Sequence, residues 1–373
     1  MSILKSSRCR PGLLKDQQGV TLIELMAGLT VGIIIVAAGF TALTGSNKAT
    51  QVNDQTAQTQ QNARVAMELI SRDLKVAGFG MAGLVGTCNT AIVPADNNIA
   101  GGDAGPDSLS AVVPNTSTVA PLWTLVNQST GPFIQITLQP GAATAMANAG
   151  LVVGATISIG GVVSANVSGI AGDTLTLGTA IGAPAVFSVG TVIYFLQCVT
   201  YQIIRPGDVN VAACGGNAPC LVRGEAPSVV TPRECNVLPN TCVAVAEGIE
   251  DLQLAYACDG CNAVVNGGVA DRIVDDQDAS GTFTEGDFIS NNNWSTPPLI
   301  PDSIRLVRIS LVARQTQADQ GFSEGRTAAT GFSGPIIVED HNPSSDAAYN
   351  PGTYSQFRRR VITRTVQTRN LGL

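Results

Sequence analysis

An unbroken apolar run from Val20 to Leu43, with Glu24 as its only charge, constrains this chain more than any other feature. A helix needs about 20 such residues to cross the hydrocarbon core of a bilayer, and an acidic side chain inside one costs roughly 2.5–3.5 kcal/mol. The run is therefore expected to cross a membrane, and Glu24 to have a cationic partner, for which a new amino terminus is the natural candidate. Ahead of it, Lys5, Arg8, Arg10 and Lys15 stand against Asp16 alone. Basic flanks of this kind hold the N-terminal side in the cytoplasm and send the rest of the chain outward. A secretory signal has a 7–15-residue apolar core followed by a small-residue cut site. Here the core is longer, and the small residue, Gly19, precedes it. Gly28 and Gly32 form a G-x-x-x-G pattern, which lets membrane helices approach closely.

Helical periodicity continues past the apolar run. Ala63, Met67, Ile70, Leu74 and Ala77 recur at spacings of four, three, four and three, which places them on one face, while Arg64, Glu68, Arg72 and Lys75 occupy the other. No proline interrupts Val20 to Ala77, and Gly78 supplies a stop. The spacing predicts one helix of about 87 Å, with Gly39 and Gly45 as points of bending or melting. Beyond it the pattern turns to β. Thr156–Ile159, Thr174–Leu177, Thr191–Phe195, Tyr201–Arg205, Leu252–Tyr256 and Ser303–Val312 read as short strands, punctuated by Gly160-Gly161 and Gly172-Asp173. The expected fold class is α+β, a long N-terminal helix followed by a glycine-rich antiparallel sheet. The boundaries fall at 1–19 for a leader, 20–45 for the membrane helix, 46–78 for its polar continuation and 79–373 for the β domain, with an insertion near 101–150.

The block Gly19-Val20-Thr21-Leu22-Ile23-Glu24 resembles the class III signal of type IV prepilins, in which a membrane peptidase cuts after a glycine and leaves the hydrophobic helix on the product. The resemblance implies cleavage after Gly19, methylation at Val20, and Glu24 as the fifth mature residue facing the terminal amine of a neighbouring subunit. Val20 stands where that family usually has Phe. Two further blocks, Arg64 to Gly80 and Phe357 to Asn370, resemble the PilW family of minor pilins. That likeness implies a subunit that primes type IV pilus assembly and sits at or near the tip. Its implied partners are other minor and major pilins, the prepilin peptidase, the assembly platform and a tip adhesin. It also implies an inner-membrane precursor with its N-terminus cytoplasmic and its C-terminal domain periplasmic, followed by residence in the extracellular pilus. The alternative readings are a minor pseudopilin of a type II secretion system and a tip module that binds an adhesin, a surface or DNA.

Cysteine usage fits an exported domain. Cys9 lies in the leader, which leaves Cys88, Cys198, Cys214, Cys220, Cys235, Cys242, Cys258 and Cys261, an even set suited to an oxidising compartment. Proximity suggests Cys214 with Cys220, Cys235 with Cys242, Cys258 with Cys261 and Cys88 with Cys198, among 105 connectivities. The Cys258-x-x-Cys261 spacing also suits a redox pair or half of a zinc site, although neither a βαβ context nor a second clean C-x-x-C accompanies it.

Asp276 to Asp287 has oxygen-bearing residues at positions 1, 3, 5, 7 and 12 of a calcium loop, with Gly281 at position 6. Asp276, Asp278, Ser280 and Asp287 would supply side chains and Thr282 its carbonyl. The competing reading is an acidic, solvated surface loop. A structural calcium ion is thus a candidate, and no cofactor is required.

His341 is the single histidine, in a Pro, Ser and Asp-rich segment, so neither a histidine-based triad nor a multi-histidine metal site can be assembled and no enzyme is expected. The net charge of −7 gives no general attraction to nucleic acid, and none is expected as a partner. Arg358, Arg359, Arg360, Arg364 and Arg369 form the one basic concentration, with Arg358, Arg360 and Arg364 on one face of a strand. That strand reads as a solvated edge, or alternatively as a contact for DNA or a partner.

Overall fold

The structure, a computed structural model, describes residues 19–95, 98–99, 102–103, 105–115, 123–206, 214, 218–226, 241–262, 268–290, 294–318, 334–346 and 349–370. The basic leader, Cys9, Cys235 and parts of the 101–150 segment lie outside the described residues. The chain divides into a unit ending at Asp54 and a second beginning at Gln55.

A single helix, α1, covers Leu22–Val76 and runs unbroken through Gly39 and Gly45, where bending or melting was expected. Good helix formers and unbroken i→i−4 bonding on either side outweigh the ~1 kcal/mol that each glycine costs. In the first unit every residue of α1 from Leu22 to Gln51 is exposed.

In the second unit α1 buries Thr59, Ala63, Ala66, Met67, Ile70, Ser71, Asp73 and Leu74. The stripe read from the sequence is thus the packed face. Burial of Met67, Ile70 and Leu74 stabilises the docked helix by roughly 1.5–3 kcal/mol each.

The sheets are antiparallel throughout. The strands of the two larger sheets are β1 (Ile92–Ala95), β2 (Ser108–Asn115), β3 (Phe133–Thr137), β4 (Thr156–Ile159), β5 (Val163–Ala171), β6 (Thr174–Ile181), β7 (Ile193–Ile204), β8 (Cys220–Ala226), β9 (Thr241–Glu247), β10 (Ile249–Cys258), β11 (Ile304–Arg314) and β12 (Arg359–Gln367). A short helix, α2 (Ala142–Asn148), follows β3. The larger sheet runs β1-β2-β7-β4-β5-β6-β3, with β8 beside β7 and β9 beside β8. A second sheet has the order β10-β11-β12.

Strand β7 organises the larger sheet. Its residues 193–196 pair with β4 and its residues 198–204 with β8, while β2 pairs along 195–201. The sequence suggests two strands here, Thr191–Phe195 and Tyr201–Arg205; the structure merges them into one. No glycine, proline or other turn residue separates them, so nothing stops the extended chain between Leu196 and Thr200.

Two main cores result. One lies under α1 and gathers Leu109, Val199, Leu221, Leu252, Ile309 and Val366 from both sheets. The other is built only from residues between Trp123 and Phe195, including Met146, Ile157, Leu175 and Phe187. The turn after α1 joins the two regions. Gly78 donates its N–H to the Val112 carbonyl (2.9 Å), and Phe79 packs edge-on against Tyr194 with ring centroids 5.0 Å apart. Gly161, at φ +75°, gives room for the Phe79 ring: a Cβ there would stand 2.6 Å from its tip carbon.

Candidate functional site

The helix start is the part of the molecule built to be covered. Val20 is 73 % exposed, Leu22 81 % and Phe40 70 %, as are their apolar neighbours on every side of the helix. By length and composition this helix can cross a membrane. So much exposed apolar surface demands a lipid or protein environment. Gly19 and Val20 lie just ahead of it, outside the helix, and are exposed. A Cβ at Gly28 or Gly32 would meet nothing within 4 Å, so the smooth strip these glycines make touches none of the described residues.

Glu24 has a local role that the sequence reading missed. Thr21 N–H and Thr21 Oγ1 both lie 3.0 Å from Glu24 Oε2, and Glu24 N–H donates back to Thr21 Oγ1 at 3.3 Å. This is a capping box of the T-x-x-E type, and its signature was present in Thr21-Leu22-Ile23-Glu24. Its contacts all use Oε2, and no partner meets Oε1 among the described residues. The carboxylate can therefore cap its own helix while one oxygen faces outward.

The acidic loop is closely knit. One oxygen each from Asp276, Asp278 and Asp287 lies within 4.8 Å of the others. Ser280 N–H donates to Asp276 Oδ1 (3.1 Å) and Asp278 Oδ1 (2.9 Å), and Gly281 N–H to Asp276 Oδ2 (2.6 Å). Gly281 turns the chain at φ +80°, as position 6 requires. Asp287 is buried and accepts from Gln277 N–H (2.7 Å) and Thr284 N–H (2.6 Å). Ser280 Oγ donates to the Thr282 carbonyl at 2.8 Å. Hydrogen bonds from the Thr284 hydroxyl and from Ser280 hold the Asp278 carboxyl at about 2, below its ordinary value. No ion pair neutralises these three carboxylates among the described residues. Hard oxygen donors converging without a counter-cation fit calcium.

Disulfides join Cys88 to Cys198, Cys214 to Cys220 and Cys258 to Cys261. Cys242 is also disulfide-bonded, while Cys235, the neighbour that sequence proximity suggested for it, lies outside the described residues. The Cys258–Cys261 bridge abuts the acidic loop, since Asp275 Oδ2 accepts from Cys261 N–H and Asn262 N–H at 2.7 Å each. Both thiols are committed to each other, so the bridge offers no zinc ligand in this state.

Three buried polar groups escaped the sequence reading because their partners are remote in the chain. Asp73, on the packed face of α1, accepts from Tyr201 Oη (2.6 Å) and Arg223 Nε (3.0 Å). Burial, reinforced by Asp73, pushes the Tyr201 hydroxyl well above its usual range, so it stays a donor. His341, in its Pro, Ser and Asp-rich segment, is buried: Nδ1 faces Asp251 Oδ2 at 2.7 Å and Nε2 faces Asp346 Oδ1 at 3.0 Å. Along β12, Arg358 and Arg360 are exposed and Arg364 reaches Glu68 on α1 at 2.7 Å, whereas Arg359, of opposite parity, is buried against Glu250. β12 is the edge of its sheet.

A helix long and apolar enough to cross a membrane, followed by antiparallel sheets stapled by disulfides, is the α+β arrangement expected from the sequence. Residues 210–370 match the model of the family described as Type IV Pilus-assembly protein W. The match contains the Phe357 to Asn370 block, while Arg64 to Gly80 lies outside it. A solved type IV-like pilin from Thermus thermophilus is similar over 84 % of this chain and 98 % of its own, at 12 % identity and a TM-score of 0.31. No curated protein matches.

Proposed function

We propose that this chain is a minor pilin that primes type IV pilus assembly and resides at or near the pilus tip. The observation that carries the reading is the exposed apolar helix start with its outward Glu24 oxygen, joined in one chain to a PilW-type region. In this account the peptidase cuts after Gly19 and methylates Val20, and the new ammonium group of one subunit meets Glu24 of the next. Pairing removes most of the cost of a carboxylate in an apolar setting. Gly28 and Gly32 let neighbouring helices approach, and the domain from Gln55 onward meets other minor pilins. The test is a strain lacking the chain, scored for sheared surface pili and for secreted enzymes. Pili are expected to fall steeply, to return with the wild-type chain and not with Glu24→Ala, while secretion persists. Normal pili with lost secretion would transfer the protein to a type II secretion system.

The carboxylate loop is proposed to hold a structural calcium ion through Asp276, Asp278, Ser280, Asp287 and the Thr282 carbonyl. When bound, the ion would supply the positive charge these carboxylates lack. Calcium is expected to raise the melting temperature of the wild-type chain and to leave Asp276→Asn/Asp278→Asn unmoved; equal responses would discard the site.

A further inference from the structure

A cavity of about 340 Å³ lies in the domain where the end of β7, β10, the end of β11 and the start of β12 meet the segment from Ile336 to Tyr354. Its size is at the small end of the ~300–1,000 Å³ typical of small-molecule sites. Its charged lining is Arg205, Arg314, Arg359 and His341 against Glu250, Asp251 and Asp346.

These charges pair off, and one is left over. Both ring nitrogens of His341 lie against carboxylate oxygens, Asp251 Oδ2 and Asp346 Oδ1. Asp346 also binds Arg205 at 3.0 Å; burial raises its carboxyl, but His341 and Arg205 outweigh that and leave it below its ordinary value, hence ionised. Glu250 is held bidentately by Arg359 Nε (2.5 Å) and Nη2 (3.0 Å). Arg359 also donates to the Tyr354 and Phe357 carbonyls and covers the Tyr354 ring, so it is fully engaged.

Arg314 has none of this. Its closest carboxylate oxygen, on the already engaged Glu250, is 3.9 Å away, beyond hydrogen-bond range. Its Nε is buried with no partner among the described residues, and its side chain, 13 % exposed, stacks on Phe357 at 4.1 Å. Burial, together with the neighbouring Arg359, lowers the Arg314 pKa even against the pull of Glu250. A buried guanidinium without a hydrogen-bonded acceptor is costly, and an incoming planar anion would relieve it through the fork geometry arginine offers. Around it the walls are largely apolar, with Val312, Ile336, Pro219 and the rings of Tyr349 and Tyr354.

We propose that this cavity binds a carboxylate carried on an apolar body, anchored by the Arg314 guanidinium with the body against Ile336 and Tyr349. The chemistry is that of an N-acylated amino acid or of a polypeptide chain end with an apolar last residue. The site does not depend on the pilus reading, and its test leaves that reading untouched.

The test uses the full chain in detergent micelles, with N-acetyl-leucine and its amide as probes and binding followed by calorimetry. A second arm compares an acetyl-Gly-Gly-Leu peptide ending in acid or amide. The acid is expected to bind and the amide not, with affinity falling as salt is raised. Arg314→Gln is expected to weaken the acid by about tenfold or more, while Arg364→Gln, outside the cavity, has no effect. Thr353→Trp, at the exposed rim, fills the opening without touching the charges and is expected to block binding even if Arg314→Gln fails to fold. Tighter binding of the peptide acid than of the single residue would identify a chain end as the ligand, and the reverse a free small acid. Equal binding of acid and amide, no binding of either acid, or full affinity in Thr353→Trp would overturn the proposal.

Discussion

Replacing Asp73 by Ala tests how α1 is fixed to the domain. In the wild type this carboxylate, 3 % exposed, holds the Tyr201 hydroxyl at 2.6 Å and Arg223 Nε at 3.0 Å. Hydrogen bonds to a charged group contribute about 1.5–3 kcal/mol, and stranding a buried partner costs about 3–5 kcal/mol. Arg223 is 19 % exposed and can turn partly to water, which discounts the upper figure. Asp73→Ala is therefore expected to destabilise the docked helix by about 3 kcal/mol. Tyr201→Phe leaves the Arg223 pair intact and should cost about 1.5 kcal/mol. The double variant should cost less than the sum by about 1 kcal/mol, because the two changes remove one shared bond. Hydrogen exchange of the amides from Ala63 to Ala77, read by mass spectrometry on the full chain, reports the local opening free energy directly. If Asp73→Ala slowed or left exchange unchanged, or Tyr201→Phe proved the costlier, the network would not be what clamps the helix.

Glu24→Gln separates two roles, since glutamine can also complete a capping box but carries no charge. The helix start should exchange as in the wild type while recovery in sheared pili falls; wild-type recovery would reduce Glu24 to a cap. Gly161→Ala combines a left-handed backbone, worth about 1–2 kcal/mol, with a Cβ 2.6 Å from the Phe79 ring, and should lower the unfolding free energy, read by denaturant titration, by about 2–4 kcal/mol in total. A loss under about 1 kcal/mol would mean that Phe79 moves aside freely. Asp278 has a folded pKa near 2, below the ordinary carboxylate value, so its contribution to loop order is full above pH ~4 and lost as pH falls through 2. A side-chain carboxyl carbon shift of Asp278 titrating near pH ~4 instead would contradict the hydrogen bonds assigned to that carboxylate.

The stripe from Ala63 to Ala77 was legible because a period of 3.6 is a local property, and adjacent cysteines were legible because nearby thiols meet most readily. Strand β7 was legible in its two ends but not in its continuity, since Leu196 to Thr200 carries no period of its own. The core between Trp123 and Phe195 gave no signal that separated it from the rest. Asp73, Arg359 and His341 were opaque for a different reason. Each is a charged or titratable group whose burial is made tolerable by partners from 90 to 150 residues away, and no window of sequence contains both ends of such a pair. At the cavity the pairs made by Arg359 and His341 leave the Arg314 guanidinium without a hydrogen-bonded carboxylate among the described residues.

The measurement closest to the centre of this account is the intact mass of the chain recovered from sheared pili, beside the chain from membranes lacking the prepilin peptidase. Recovery in the pilus fraction without residues 1–19 and with one methyl added to Val20, against a full-length chain in the mutant membranes, is the predicted result. A chain that keeps residues 1–19 in both fractions, or that never enters the pilus fraction, would contradict it.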